Sequence, residues 1–309
     1  MFYNKIFRFI NQNRRIIIVL VSICIFIILL IKVLNNLSIE SDNDENDNEN
    51  NNNTSIEIEN ARTSVITNST VSQKISTQNY NLLEEFVNLC NTEDSQEAYN
   101  LLSDECKQNV YPNIEEFIEN YVNVVFKSKK SIDVKNWINS GNYITYLVTY
   151  SDEDILSTGD VNSNKFQDYI TVDSNKQKIN INKYIKREEI NKTQEINNIR
   201  FNINYIDIFK DYEIYSIKIE NKNNKDIILD NLNSVSSTYI ETSSETKINC
   251  SNYEAGINSF KYGPGITKTI KIKVMKQYNE NIKDEKLVFS SAILDTGNMD
   301  NTCSIEIEL

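Results

Sequence analysis

Apolar side chains between residues 82 and 125 recur at every third or fourth position. Leu82, Phe86 and Cys90 show this spacing first, and Phe117 and Tyr121 show it again further along. A period of this kind places the apolar side chains on one face of a helix. The segment therefore predicts a series of short helices.

From residue 131 the period changes to two. The segments SIDVKNWI, NYITYLVTYS, KFQDYITVD and QKININKYI are rich in β-branched and aromatic residues, which is typical of strands. Helices followed by a run of strands predict an α+β domain over residues 79–186, with the helices on one face of a curved antiparallel sheet.

Seven or eight short strands are predicted in residues 199–309, after a polar connector at residues 187–198. Two of the longest are predicted at Ile199–Phe209 and Ile266–Met275. Ile270, Ile272 and Val274 alternate with lysines, which is the pattern of a strand with one buried face. Strands at this spacing, separated by Asn-rich and Gly-rich turns, predict an all-β immunoglobulin-like sandwich.

Residues 16–34 form an almost unbroken apolar run, IIIVLVSICIFIILLIKVL. Its length approaches the about 20 helical residues that cross a bilayer, which predicts a transmembrane helix. Arg14 and Arg15 precede the run, and Lys32 lies near its outer end, where a lysine stem can reach the membrane surface. The positive-inside rule makes residues 1–15 a cytoplasmic tail and predicts a single-pass plasma-membrane protein with extracellular C-terminal domains. A cleaved signal peptide and a lipoprotein fit less well, because the run is long and no small residue directly precedes its cysteine.

Residues 35–78 are predicted to be a disordered acidic tether. Ser38–Asn60 holds eight acidic residues and no basic residue. Such a segment buries too little apolar surface to offset the entropy of ordering it. Residues 1–34 carry five basic residues and no acidic residue, so the remaining 27 basic and 44 acidic residues give the rest of the chain a net charge of −17. Because this charge repels phosphates, no nucleic acid is expected as a partner.

The sequence contains no histidine. This absence excludes Ser-His-Asp and Cys-His catalysis and the histidine-containing zinc sites. We predict neither a metal site nor a cofactor. The five cysteines form no CxxC pair. Cys250 and Cys303 could form a disulfide if their strands adjoin, and free buried thiols are the alternative.

Residues 79–186 resemble a known superfamily in the order of their features. Those features are Phe86 and Cys90 on one helix, the run AYNLLS (Ala98–Ser103), then Tyr111-Pro112, Glu115, Phe117 and Tyr121, and finally four strands. This order resembles the cystatin-like cone of the nuclear transport factor 2 (NTF2) superfamily. It is similar to the N-terminal domain of resistant penicillin-binding proteins and to the anchored cone proteins of type IV secretion and conjugation machines. The segment YEIYSIKIENKNNKDIILDN resembles strands of extracellular domains on membrane-anchored bacterial chains.

The resemblance to a cone implies an interior cavity. The aromatic residues expected to line it are Phe86, Tyr99, Phe117, Tyr121, Trp137, Tyr146 and Tyr169. Some members of the superfamily are isomerases, which need a pocket carboxylate opposite an oxyanion donor. Asp154 and Asp168 lie near predicted strand ends, where one of them could face a tyrosine hydroxyl.

A non-catalytic role is the leading functional prediction, because an anchor, a cone and a sandwich occur here without a catalytic constellation. We expect a binding or scaffolding protein of the bacterial cell envelope, with the lipid bilayer contacted through residues 16–34 and other envelope proteins as partners. The first alternative is a small-molecule binder or sensor that uses the cone as its pocket. The second is an enzyme of isomerase or dehydratase type.

Overall fold

The computed structural model describes residues 61–152, 165–230, 237–250 and 257–309. The first of these residues pack along a strand rather than forming part of a free tether. The backbone N–H of Val65 donates to the carbonyl of Asn136 (3.0 Å), and Ala61 is fully buried. The tether prediction, which extends to residue 78, is therefore wrong from residue 61 onward. Residues 35–60 lie outside the described part of the chain.

The helices after the first are short, and most of the helices begin at polar caps. They are α1 (Gln73–Asn91), α2 (Ser95–Leu101), α3 (Asp104–Asn109), α4 (Ile114–Phe117) and α5 (Asn123–Val125), with a π-helical turn (Ile118–Val122) between the last two. The side chains of Ser72, Ser103 and Asn113 each accept a hydrogen bond from the backbone N–H three residues further on. These bonds satisfy N–H groups that the first turn of a helix leaves free.

Sheet I consists of four antiparallel strands in chain order. They are β1 (Lys130–Ser140), β2 (Tyr143–Asp152), β3 (Phe166–Asp173) and β4 (Lys178–Asn180). Gly141 has a φ of 59° and lies in the two-residue turn between β1 and β2, where glycine adopts a positive φ without strain. The helices cover one face of this sheet, and the shared core includes Leu83, Val148 and Ile170.

Sheets II and III form the second region. Sheet II contains β5 (Tyr184–Ile196), β6 (Ile199–Phe209), β7 (Glu213–Asn221) and β12 (Thr267–Val274), in the order β12-β7-β6-β5. Sheet III contains β8 (Ile227–Ile228), β9 (Thr238–Thr242), β10 (Lys247–Asn249), β11 (Lys261–Tyr262), β13 (Asp284–Ile293) and β14 (Thr302–Glu308). Its order is β10-β9-β13-β8-β11, and β14 pairs with β13.

The two sheets of the second region share one apolar core. Phe201 of sheet II and Phe289 of sheet III stack with their ring centroids 6.2 Å apart, and Ile217 and Ile307 are fully buried in the same core. Alternate residues of each strand point to one face, so the buried apolar residues of both sheets meet. This β-rich arrangement is consistent with an immunoglobulin-like sandwich.

Residues 187–198, predicted to be a connector, lie largely in strand β5. This strand pairs with β6 from Tyr184↔Phe209 to Ile196↔Ile199. Its side chains from Arg187 onward are mostly solvated, so the apolar alternation that identifies a strand is missing. Backbone pairing with β6 is sufficient to form an edge strand, which explains why the sequence pattern did not indicate one.

The predicted fold class is wrong. Strands account for 47% of the described residues and helices for 21%, so this part of the chain is mostly β-sheet, and an α+β NTF2-like cone is not evident. The physical reason is that α2 to α5 contain only three to seven residues each. These short helices add little to a structure in which β1, β5 and β6 are each 11 or 13 residues long.

Within the described residues, no helix is long and apolar enough to cross a membrane. The longest, α1, spans 19 residues and carries Lys74, Glu84 and Glu85. The prediction of a single-pass protein located in the plasma membrane is corrected accordingly. The run at residues 16–34, with Arg14, Arg15 and Lys32, lies outside the described residues.

Candidate functional site

Four of the seven aromatic residues predicted to line a cavity pack together instead. Phe117 lies 6.3 Å from Phe86, 5.7 Å from Tyr99 and 5.8 Å from Tyr121, measured between ring centroids. Phe86 and Phe117 are fully buried, and Tyr121 is nearly so. These rings fill the space between the helices and sheet I, so they act as core residues.

The other three aromatic residues are divided between the two faces of sheet I. Tyr146 is buried on the helix side, where its hydroxyl accepts a hydrogen bond from the Asn79 side chain (3.0 Å). Trp137 and Tyr169 contact each other (5.0 Å between centroids), and Trp137 packs against the sandwich core. Neighbouring residues of a strand point to opposite faces, which separates Tyr169 from the rings around Phe117.

Asp168 and Tyr121 meet in the interior of the first region. The Tyr121 hydroxyl lies 3.3 Å from Asp168 Oδ2 and 2.9 Å from the Tyr150 hydroxyl. The isomerase alternative requires such a contact. Both Asp168 oxygens, however, also accept backbone N–H groups, from Asn182 (2.8 Å) and Lys183 (3.2 Å). Those two residues have positive φ angles of 56° and 65°, so the carboxylate stabilises a strained turn. Asp154, the other candidate base, lies outside the described residues.

Burial raises the pKa of Asp168 to about 6, despite the hydrogen bonds that stabilise its charged form. A carboxyl whose folded-state pKa exceeds its unfolded value binds protons more strongly when folded, so its contribution to stability is lost as pH rises from about 4 to about 6. Relative to Asp168→Asn, the wild-type free energy of unfolding should fall by about 2–3 kcal/mol over this range. Urea titrations of both proteins at pH 4, 5, 6 and 7 measure the difference. If the free energies of unfolding of the two proteins changed in parallel with pH, the raised pKa of Asp168 would be contradicted.

A cavity of about 800 Å³ lies at one end of the sandwich, and we call it the sandwich-end cavity. Strands β5 and β6 contribute Ile190, Ile206 and Ile208 to its lining, and the segment before β13 contributes Ile282. Ser140, from the end of β1, lies at its border with the first region. None of the seven predicted aromatic residues lines this cavity or either of two smaller ones, of about 370 and 230 Å³.

Four polar side chains form what we call the acidic cluster: Glu213, Tyr215, Lys276 and Asp284. Glu213, Lys276 and Asp284 line the cavity, and Tyr215 lies buried behind them. The Lys276 ammonium lies 3.1 Å from Glu213 Oε1 and 2.6 Å from Asp284 Oδ1. The Tyr215 hydroxyl is 2.8 Å from Glu213 Oε2 and also contacts Asp284 Oδ2. Each of these side chains is at least nine-tenths buried. The cluster therefore places two carboxylates around a single ammonium ion away from bulk water.

The electrostatics of the cluster reflect this crowding. Desolvation raises the pKa of Glu213 to about 7, with a further contribution from the hydrogen bond and charge of Asp284. The pKa of Tyr215 is raised well above its usual value, first by burial and then by the two carboxylates. The pKa of Lys276 is raised because its two ion pairs outweigh the opposing effect of desolvation. Perturbed groups of this kind beside a cavity are typical of functional sites.

The strand period explains how the chain brings these residues together. Glu213 and Tyr215 lie on the same face of β7 as the buried Ile217, and Lys276 continues the alternation of Ile272 and Val274. Asp284 is the first residue of β13 in the other sheet. The sequence prediction missed all four residues. The sequence feature that could have indicated them is a charged or hydroxyl side chain at a position where the two-residue alternation of a strand predicts a buried apolar residue.

Cys250 and Cys303 are both free thiols. Cys250 directly follows β10, and Cys303 lies in β14, with β9 and β13 between them. Three strand spacings separate them by about 14 Å, which is about twice the largest Cα distance that a disulfide spans. The predicted pairing required adjoining strands, and the sheet order does not provide them.

No group of three or more Cys, Asp or Glu side chains suited to a metal ion occurs in the part of the chain that the structure describes. Comparison of the sequence with known protein families, with curated proteins and with solved structures finds no match.

Proposed function

We propose that this protein is a non-catalytic binding protein whose ligand occupies the sandwich-end cavity. The observation that carries the proposal is the meeting of a roomy cavity with the acidic cluster at its wall. The volume of the cavity lies within the about 300–1,000 Å³ that is usual for small-molecule sites. Its lining combines isoleucine side chains with lysines and carboxylates. The proposal keeps the predicted binding role and moves the site from the first region to the second.

Tight packing at the other candidate position also favours this location. Phe86, Phe117 and Tyr146 are fully buried in the core of the first region. A ligand there would have to displace packed aromatic rings, and each displaced ring would cost several kcal/mol. The sandwich-end cavity needs no such displacement, because its volume is already present.

Binding of the neutral apolar dye Nile red tests the proposal. We expect saturable fluorescence enhancement with one site per chain. Ile282→Trp, which replaces an aliphatic side chain of the lining with a bulky indole ring, should weaken dye binding at least tenfold. The matched control is Ile266→Trp, because Ile266 is 44% exposed in the same sandwich and does not line the cavity. Absence of saturable binding to the wild type, or equal loss in both variants, would refute the proposed site.

A further inference from the structure

The acidic cluster contains two carboxylates but only one ammonium group, so it lacks one positive charge. Glu213 and Asp284 together carry two negative charges when ionised, and Lys276 supplies one positive charge. Buried charges are stable only when they are paired, so the second carboxylate needs a proton or another cation.

The position of Tyr215 also indicates that the cluster lacks one positive charge. Its hydroxyl contacts an oxygen of Glu213 and an oxygen of Asp284. A hydroxyl has one proton and can donate to only one of them. The second contact is a hydrogen bond only if the other carboxyl carries a proton and donates to the phenol oxygen. A proton bound at the cluster thus fills the position of the missing cation.

The charges at the rim of the cavity do not supply this cation. Lys186 and Lys192 of β5 and Lys283 of the loop before β13 line the cavity as half-buried or exposed groups. They are balanced in number by three exposed carboxylates, Glu188, Glu189 and Glu280. Exposed charges of this kind are screened by water and salt. The acidic cluster therefore determines which charge the cavity prefers.

We infer that the ligand of the sandwich-end cavity is a small amphiphilic cation, an ammonium group on an aliphatic or aromatic body. The inference rests on the proposed binding function. The ammonium would lie against Glu213 and Asp284, where it replaces the shared proton, and its body would contact Ile206, Ile208 and Ile282. An anion of the same size would face an excess of negative charge at this wall.

Replacement of a proton by the ligand makes binding dependent on pH. The ligand requires the ionised form of Glu213, whose pKa is about 7. The groups that face this carboxyl are Tyr215 on its own strand, Lys276, and Asp284 on β13. Below pH 7 the proton competes with the ligand, so cation binding weakens as pH falls.

Calorimetric titration with octylamine, octanol and octanoate tests the inference, because the three probes share an eight-carbon chain and carry a positive, a neutral and a negative head group. At pH 8 octylamine should bind at least tenfold more tightly than octanoate. Its affinity should fall about tenfold from pH 8 to pH 6, as the ionised fraction of Glu213 falls. Glu213→Gln, which keeps the shape of the side chain, should remove both the preference and the pH dependence. Glu220→Gln on the same strand is the control and should change neither.

The outcomes separate the ligand class from the site itself. If Nile red binds but octanoate equals octylamine, or octylamine shows no pH dependence, the cationic class is refuted and the cavity remains a binding site. If Nile red shows no saturable binding to the wild type, the proposed function fails, and the cationic ligand class fails with it. The pH series needs only the wild-type protein, so it decides the question even if Glu213→Gln does not fold.

Discussion

Arg187→Met should lower the free energy of unfolding by about 3–5 kcal/mol, because it leaves a buried carboxylate without its counter-charge. Asp207 is fully buried, and Arg187 binds it with two hydrogen bonds, Nε to Oδ1 (2.8 Å) and a terminal nitrogen to Oδ2 (3.1 Å). The same guanidinium lies 3.7 Å from the Tyr205 ring centroid and donates to Gln108 of α3 (3.2 Å). Urea denaturation followed through Trp137, the sole tryptophan, measures the loss.

Arg200→Met is the matched control for this prediction. Arg200 also lies in sheet II and pairs with Glu220 at 2.8 Å, but the two side chains are 45% and 33% exposed. Exposed pairs contribute about 0–1 kcal/mol, so this variant should be almost as stable as the wild type. Asp207→Asn combined with Arg187→Met should recover part of the stability, since the double variant removes the uncompensated charge. Equal costs for the two arginine variants would show that burial of Asp207 is not the cause.

Phe117→Ala should destabilise the first region by about 3–5 kcal/mol, the usual cost of removing a buried aromatic ring. Phe117 is fully buried, and its ring contacts four others: Phe86, Tyr99, Tyr111 and Tyr121. Removing it would leave a void that the surrounding helices and sheet I cannot close without strain. Thermal unfolding monitored by circular dichroism measures the change.

Phe166→Ala provides the comparison. Phe166 is 38% exposed at the start of β3 and contacts one ring, Tyr150, at 5.7 Å between centroids. Its removal should cost about 1 kcal/mol or less, because most substitutions away from a packed core have small effects. A Phe117→Ala variant as stable as Phe166→Ala would mean that the first region has an open interior.

Strand β6 illustrates what the sequence pattern predicts well. Its predicted bounds, Ile199 to Phe209, are those that the structure shows. The strand is central in sheet II and has one apolar face, so local side-chain alternation and tertiary burial agree. β12 is similar, with predicted bounds of Ile266–Met275 and observed bounds of Thr267–Val274. Where one face of a strand is buried, its period is visible in the sequence.

Strand β5 shows where the same reasoning fails. Its polar side chains led to the prediction of a connector, although its backbone pairs along β6. Hydrogen bonds between backbones do not require a particular order of apolar and polar side chains, so the sequence pattern does not indicate them. The predicted proportion of helix to strand was wrong for a related reason. The helical period was correct locally, but the helices between residues 95 and 125 are only short turns.

The sequence by itself determined the positions of most strands and of the second half of α1, because side-chain periodicity is a local property. It also determined, through the absence of histidine, which catalytic and metal-binding chemistries are excluded. Only the tertiary structure decided that the aromatic residues around Phe117 fill a core and that a cavity opens beside the acidic cluster. Glu213, Lys276 and Asp284 come from separate strands and a loop of two facing sheets. Periodicity predicts which face of a strand is buried, but sheet order and sheet packing decide which residues meet there.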